Sequence, residues 1–178
     1  MKRGDQYNIG FQKGIESVYG RMRTASWQKE YGRGGFLLLF RSACKWQILE
    51  TSFITCWTIW EILFTLHNQS WLSDEQTIKL PASEKISYVL TRYQIKETLD
   101  GKERKGIKRF VKMRNMLVHA GRFVDENSLH DATLFVRVTA IIIAQILGLS
   151  VSDVLGSQAK FLARLRGQDV IPPWKEWK

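Results

Sequence analysis

From Phe36 onward the apolar residues return every three or four positions, the period of helices that bury one side. Residues 41–66 carry Trp46, Leu49, Phe53, Trp57, Trp60 and Phe64 at that spacing, which predicts one long helix ended by the polar run His67-Asn68-Gln69-Ser70. Pro81-Ala82-Ser83 opens a second helix, with Ile86, Val89, Leu90 and Tyr93 on its apolar side and Asp100-Gly101 as its stop. A third is expected over residues 102–119, ending near Gly121. A fourth runs from Ser128 to Leu147, where Ser128 and Asp131 form a capping-box pattern. A short fifth fits residues 152–166, closed by Gly167. Strand-like alternation is nearly absent. Long helices with mostly short connections predict an all-α fold, an up-down four-helix bundle with a short fifth helix.

Residues 1–35 depart from the pattern, holding 7 of the 13 glycines among basic and aromatic residues. They read as a flexible basic N-terminal arm with local helix around 17–29. The chain thus divides into the arm 1–35, a helical bundle 36–168 and a C-terminal tail 169–178. Two apolar stretches raise the question of a membrane. The stretch 36–66 is interrupted by Arg41, Lys45, Glu50 and Glu61, and the stretch 138–151 has fourteen residues. A span needs about 20 largely uncharged residues, so no membrane segment is expected. The first residues lack the apolar run of a secretory leader, which reads as cytoplasmic.

Cys44 and Cys56 fall in the same predicted helix, where twelve residues separate them by about 18 Å, too far for a disulfide. That usage fits a reducing compartment. The 3 histidines and 2 cysteines show no metal-ligand spacing, so no metal and no cofactor are expected.

Charge sharpens the picture. The 178 residues carry 27 Lys and Arg against 17 Asp and Glu, a net +10 that points to polyanionic partners. The excess is concentrated: residues 101–122 hold eight cations and one anion.

That stretch is the third predicted helix. On a helical wheel Ile107, Phe110, Val111, Leu117 and Val118 form an apolar stripe with Arg114 near its centre. A buried arginine is costly unless a carboxylate meets it. Glu50 and Glu61 on the first helix are the candidate partners, and Glu61 has the more apolar neighbours. On the other side Lys108, Lys112, Asn115, His119 and Arg122 project together. A titratable imidazole, an amide and three cations on one face are equipment for holding a phosphodiester and moving a proton near neutral pH. Taken singly, each has a plainer reading: a solvated basic face, a histidine capping a helix end, an arginine snorkelling from a bundle end.

Arg114-Asn115-Met116-Leu117-Val118-His119 fits the R-x4–6-H motif, and here the chain resembles the HEPN domain family. The phrases WEILF (60–64) and KRFVKMRNMLVHAGRF (108–123) look most like its ApeA-like branch, over roughly residues 41–150. The resemblance implies a metal-independent endoribonuclease in which two subunits pair their motifs across a composite cleft. A 2′-hydroxyl of RNA attacks the adjacent phosphate, leaving a 2′,3′-cyclic phosphate and a 5′-hydroxyl. By position His119 is the general base or acid, Arg114 orients the phosphate, Asn115 holds the phosphate or the histidine, and Glu61 fixes Arg114. Lys108, Lys112 and Arg122 bind flanking RNA. Implied partners are RNA, a second copy, and an antitoxin or sensor protein, in a toxin or phage-defence setting. Two departures stand out. Gly121 occupies the place of the tyrosine that an antitoxin nucleotidyltransferase modifies, and only about 40 residues precede the bundle where larger ApeA-like proteins carry a domain.

In a straight helix Arg114 and His119 point about 140° apart. Convergence on one phosphate therefore requires the helix to fray before Gly121 or a second subunit to contribute, and the second is favoured. The alternative function is a non-catalytic helical module that binds nucleic acid or a partner protein through the same face. Among the 7 tryptophans, those of the first helix read as core or interface, and Trp174 and Trp177 as exposed contacts. His67 and His130 read as structural.

Overall fold

Capping residues, prolines and glycines divide the chain into nine helices, with no strand, among the residues described. The computed structural model describes residues 15–32, 35–45, 48–96, 99–123, 125–149 and 157–168. The helices are α1 (residues 15–22), α2 (Ala25–Tyr31), α3 (Phe36–Lys45), α4 (Leu49–Asn68), α5 (Asp74–Lys79), α6 (Ala82–Arg92), α7 (Gly101–Ala120), α8 (Glu126–Leu147) and α9 (Ser157–Leu165). The protein is an all-α bundle. Its packing runs as a ring, α4 to α6, α6 to α7, α7 to α9, α9 to α8, and α8 back to α4. The short helix α9 is therefore a wedge packed on both α7 and α8.

The centre of the ring is aromatic. Phe135 of α8 stacks on Trp60 at 4.5 Å and on Trp57 at 5.7 Å, and meets Phe53, Phe110 and Phe161 edge-on or tilted. The polar edge of Trp60 is satisfied by Thr139, its Nε1 donating to Oγ1 at 2.8 Å. Because α4 is wrapped on several sides, its apolar residues do not keep to one stripe.

Several boundaries differ from the sequence reading. The expected helix over 41–66 is two, α3 and α4, with Ile48 extended between them at φ −110° and ψ 108°. Ser52 Oγ donates to the Ala43 carbonyl at 2.8 Å, tying the end of α3 to the start of α4. The break removes the basis for an 18 Å separation of the cysteines along one helix. Both thiols are free, and burial pushes that of Cys56 up to about 12. The second helix is shorter than expected: α6 stops at Arg92, and Gln94 turns the chain at φ +53°. Asp100 is the N-cap of α7 rather than a stop, in a capping box with Glu103. Asp125, not Ser128, caps α8, accepting from the Ser128 amide at 2.7 Å. A further helix, α5, is started by the Ser73–Gln76 capping box.

Residues 15–32 hold the local helix expected around 17–29, as α1 and α2, but they are docked on the core rather than forming a free arm. Trp27 is buried and its Nε1 donates to the Ile146 carbonyl at 3.4 Å. The reason is local: Thr24 caps α2, and the i,i+4 pair Trp27 and Tyr31 supplies an apolar face. The remainder of the arm lies outside the described residues, as do Trp46 and the tail with Trp174 and Trp177.

By length and composition α8 is able to cross a membrane, although its apolar run had looked too short. Its apolar residues are spent on the core instead, with Leu134, Phe135, Val138 and Ile142 fully buried.

Candidate active site

The capping box at Asp100 starts α7 and Gly121 ends it in the left-handed conformation, φ +71°. Between them the helix is regular to Ala120, and the Gly121 amide donates to the Leu117 carbonyl at 2.8 Å. Its buried side consists of Glu103, Gly106, Ile107, Phe110, Met113 and Leu117. That stripe is turned about 50° round the helix from the one expected. Met113 and Gly106 belong to it, whereas Val118 is 55% exposed.

The turn changes the position of Arg114. It stands at the edge of the core, half-buried, and no buried carboxylate is required there. The expected pairing with Glu61 does not form. Glu61 accepts instead from Trp57 Nε1 at 3.1 Å, one turn back on its own helix. Arg114 Nη1 donates to Asn115 Oδ1 at 3.1 Å. Consecutive side chains on a helix do not ordinarily face each other, so the guanidinium has swung round the helix towards the exposed side.

That side lies diametrically opposite the core stripe. Lys108, Lys112, Asn115 and His119 share it, and all are exposed. Together with Val111 and Met116 they line an open groove along α7. Arg122, just past the helix end, is exposed but does not line this groove. None of Lys108, Lys112 and Arg122 pairs with a carboxylate among the described residues. The face thus offers an imidazole, two free ammonium groups and an amide whose oxygen is held by Arg114, leaving its nitrogen to donate. It can bind a polyanion and exchange a proton with it.

Beside the groove lies a second hollow that sequence reasoning missed, with a volume of about 430 Å³. It opens between α7, residues Arg122, Phe123 and Asp125, the start of α8, and α9. Lys112 and Met116 line both hollows, so the two are contiguous. Its wall is a buried ion network: Arg164 Nε meets Asp131 Oδ1 at 2.7 Å, and Arg109 Nη2 lies 3.5 Å from Asp131 Oδ2 and 2.6 Å from the Arg164 carbonyl. A second network holds the same, C-terminal end of α9. Glu103, fully buried, accepts from Lys96 Nζ at 2.6 Å and Arg166 Nε at 2.8 Å. The signal for both was a charged residue in phase with an apolar stripe, but its partner is 33 or 63 residues distant.

The remaining marked residues play other parts. His67 is buried with Tyr31, Tyr88 and Tyr93 around it, its Nε2 3.1 Å from Tyr93 Oη and 3.5 Å from Glu30. Burial and Arg92 hold its pKa below the ordinary value despite Glu30. His130 is buried too, with a pKa lowered by burial and then by Arg164. Trp57 and Trp60 are core, and Trp71 is exposed. Among the described residues no three His, Cys, Asp or Glu side chains group as metal ligands. Comparison with protein-family models, with curated proteins and with solved structures found no match to this chain.

Proposed function

We propose that this chain is an RNA-cleaving enzyme whose site is completed by a second copy. The observation that carries the reading is the exposed stripe of α7, where His119, Asn115, Lys112 and Lys108 share a face and Arg114 is drawn round to Asn115. An imidazole among unpaired cations suits proton transfer on a phosphodiester; a surface that only bound RNA would have no use for it.

Since α7 is helical through Ala120, the two motif residues of one copy leave the axis about 140° apart. Two α7 stripes set face to face bring the His119 of one copy towards the Arg114 of the other. The exposed apolar residues Met116 and Val118 flank the stripe and would be covered in such a pairing. In the proposed reaction His119 takes the proton of a 2′-hydroxyl, whose oxygen attacks the adjacent phosphorus. The bond to the 5′-oxygen breaks and that oxygen is protonated by the second imidazole. Arg114 and the Asn115 amide stabilise the charge that grows on the phosphate oxygens. Lys108, Lys112 and Arg122 hold the flanking backbone. Glu61 has no part in it. The setting that goes with this activity is a cytoplasmic toxin or defence effector, restrained by a separate antitoxin or sensor.

The test is purified protein incubated with total RNA in EDTA, beside His119→Ala and Arg114→Ala. Fragments ending in 2′,3′-cyclic phosphate and 5′-hydroxyl are expected from the wild type, with a loss of roughly 100-fold or more in His119→Ala. Equal cleavage by all three proteins overturns the assignment. A second reading, a helical module that binds RNA through the same face without cutting it, is favoured by one observation: Glu61 is not at Arg114. RNA binding without cleavage establishes that reading.

A further inference from the structure

The hollow beside the α7 groove has a chemistry of its own. Its floor is apolar, made by Met113, Met116 and Phe123, and the Phe123 ring meets Phe53 edge-on at 5.9 Å while still lining the hollow. Asn127 and Ser128, at the start of α8, add exchangeable donors and acceptors to its wall. The deep cation Arg164 is already engaged, by Asp131 at Nε, the Gln168 carbonyl at Nη1 and Asn127 Oδ1 at Nη2, so it is not held open for an anion. Unpaired positive charge belongs to Lys112 and Arg122, and Lys112 stands at the junction with the His119 groove. The volume, about 430 Å³, falls within the roughly 300–1,000 Å³ of small-ligand pockets.

An apolar floor with an aromatic ring, a hydrogen-bonding wall and cations on the side of a phosphate-binding groove match one nucleotide of a single strand. Single-stranded RNA is read by splaying a base onto an aromatic ring or guanidinium plane and hydrogen-bonding its edge. We infer that this hollow is a base-recognition subsite: it takes one unpaired nucleobase of an RNA whose phosphates run over Lys112 and Arg122 into the His119 groove. The inference rests on the RNA-directed reading of α7 but not on cleavage. Phe123 and Met116 contact the face of the base, and Asn127 and Ser128 read its edge. The subsite, rather than the α7 stripe, then sets which nucleotide lies beside the scissile phosphate.

The experiment is fluorescence anisotropy of end-labelled eight-nucleotide oligoribonucleotides with the full chain carrying His119→Ala, which silences any cleavage. One abasic nucleotide is moved along the oligonucleotide. A loss of roughly ten-fold or more at one position is expected, the scale of one stacked base. Asn127→Ala, an exposed position, and Phe123→Leu, which keeps an apolar side chain against Phe53, are expected to shrink the gap between base-bearing and abasic ligands. Lys112→Ala is expected to weaken both ligands alike. A flat abasic scan, or Asn127→Ala and Phe123→Leu proteins that retain the full gap, overturns the subsite. Adenosine, guanosine, cytidine and uridine monophosphates form a separate arm. Binding of these with no abasic-sensitive position in the RNA marks a free-nucleotide site and also overturns it. A wild type that cuts no RNA but shows the sensitive position keeps the subsite and loses the ribonuclease reading. Cleavage with a flat scan does the reverse.

Discussion

Gly106→Ala is the substitution whose effect follows most directly from the packing of α7 on α9. A Cβ at Gly106 would lie 2.0 Å from the Leu165 carbonyl oxygen and 2.6 Å from its carbonyl carbon and Cα, all backbone atoms. Carbon to oxygen contacts settle at about 3.3–3.6 Å, so α9 must retreat by roughly 1.3 Å. A gap of that size forfeits at least a quarter to a half of the dispersion attraction, by roughly 0.5–1 Å estimates. The residues that lose it are Phe161 and Leu165, each 1% exposed. With about 1.5–3 kcal/mol for burying each such side chain, the loss of half of it from both costs about 1.5–3 kcal/mol. Alanine returns about 1 kcal/mol of helix propensity. The net loss is about 0.5–2 kcal/mol, a fall in Tm of roughly 1–8 °C for a chain of this size. Gly101→Ala is the internal control, because its added Cβ meets nothing within 4 Å. Urea denaturation and circular-dichroism melts of the two variants settle the matter. A Gly106→Ala protein as stable as the Gly101→Ala protein would refute the close approach of α7 to α9, and with it the wedge that shapes the neighbouring hollow.

Trp27→Ala tests whether α1 and α2 belong to the fold. Removing an indole that is 7% exposed is expected to cost about 3–5 kcal/mol and to admit protease within residues 15–32; unchanged stability would restore the arm. The buried histidines predict a pH dependence. A base whose folded pKa is lowered binds protons preferentially when unfolded, so stability is lost as pH falls below the unfolded value near 6.5. The slope is at most about 1.4 kcal/mol per pH unit for each group. Denaturation at pH 7.5 and 5.5 is expected to show this loss, reduced in His67→Gln; an equal loss in that variant removes His67 from the account. Lys108→Ala and Lys112→Ala are each expected to lower the slope of log affinity for single-stranded RNA against log salt by about 0.7. Unchanged slopes would place the RNA elsewhere.

The exposed side of α7 is legible in the sequence because it depends on one period alone. Lys108, Lys112, Asn115 and His119 are spaced by four, three and four residues, and a helix that runs unbroken to Ala120 must put them together. The buried side was not legible to the same accuracy. Its phase is set by the neighbours, and α9, packed against Gly106, draws the core stripe towards Met113 and away from Val118. That rotation of about 50° moves Arg114 from the centre of the stripe to its edge, and the need for Glu61 as its partner goes with it. The division of residues 41–66 into α3 and α4 was hidden for a similar reason: both helices bury apolar residues, so the period runs on across the bend at Ile48. Asp131 illustrates the converse. It fits a local capping pattern with Ser128, but a carboxylate 4% exposed is settled by distant Arg164 and Arg109, which no local pattern contains.

The charge on α7 is divided by the fold into two kinds. Arg109 shares Asp131 with Arg164, and Arg104 approaches Glu84 at 4.0 Å. Glu103, the helix's own carboxylate, is spent on Lys96 and Arg166, which lie outside α7. The cations without a carboxylate partner among the described residues include Lys108, Lys112 and Arg122, and two of these stand on the stripe with His119. A face left with uncompensated charge repels its own copy, so two such stripes do not pair on electrostatic grounds alone. What would reconcile the proposed pairing with the charge is a polyanion between the two stripes. RNA phosphates would neutralise both stripes at once, while Met116 and Val118 supply apolar contact at the margins. Assembly of the two copies and binding of RNA are then one linked equilibrium: RNA should raise the dimer fraction in sedimentation, and by the same coupling free energy dimerisation should raise the affinity for RNA. A protein that remains monomeric with saturating RNA would separate the two and leave Arg114 and His119 of one helix without a common phosphate.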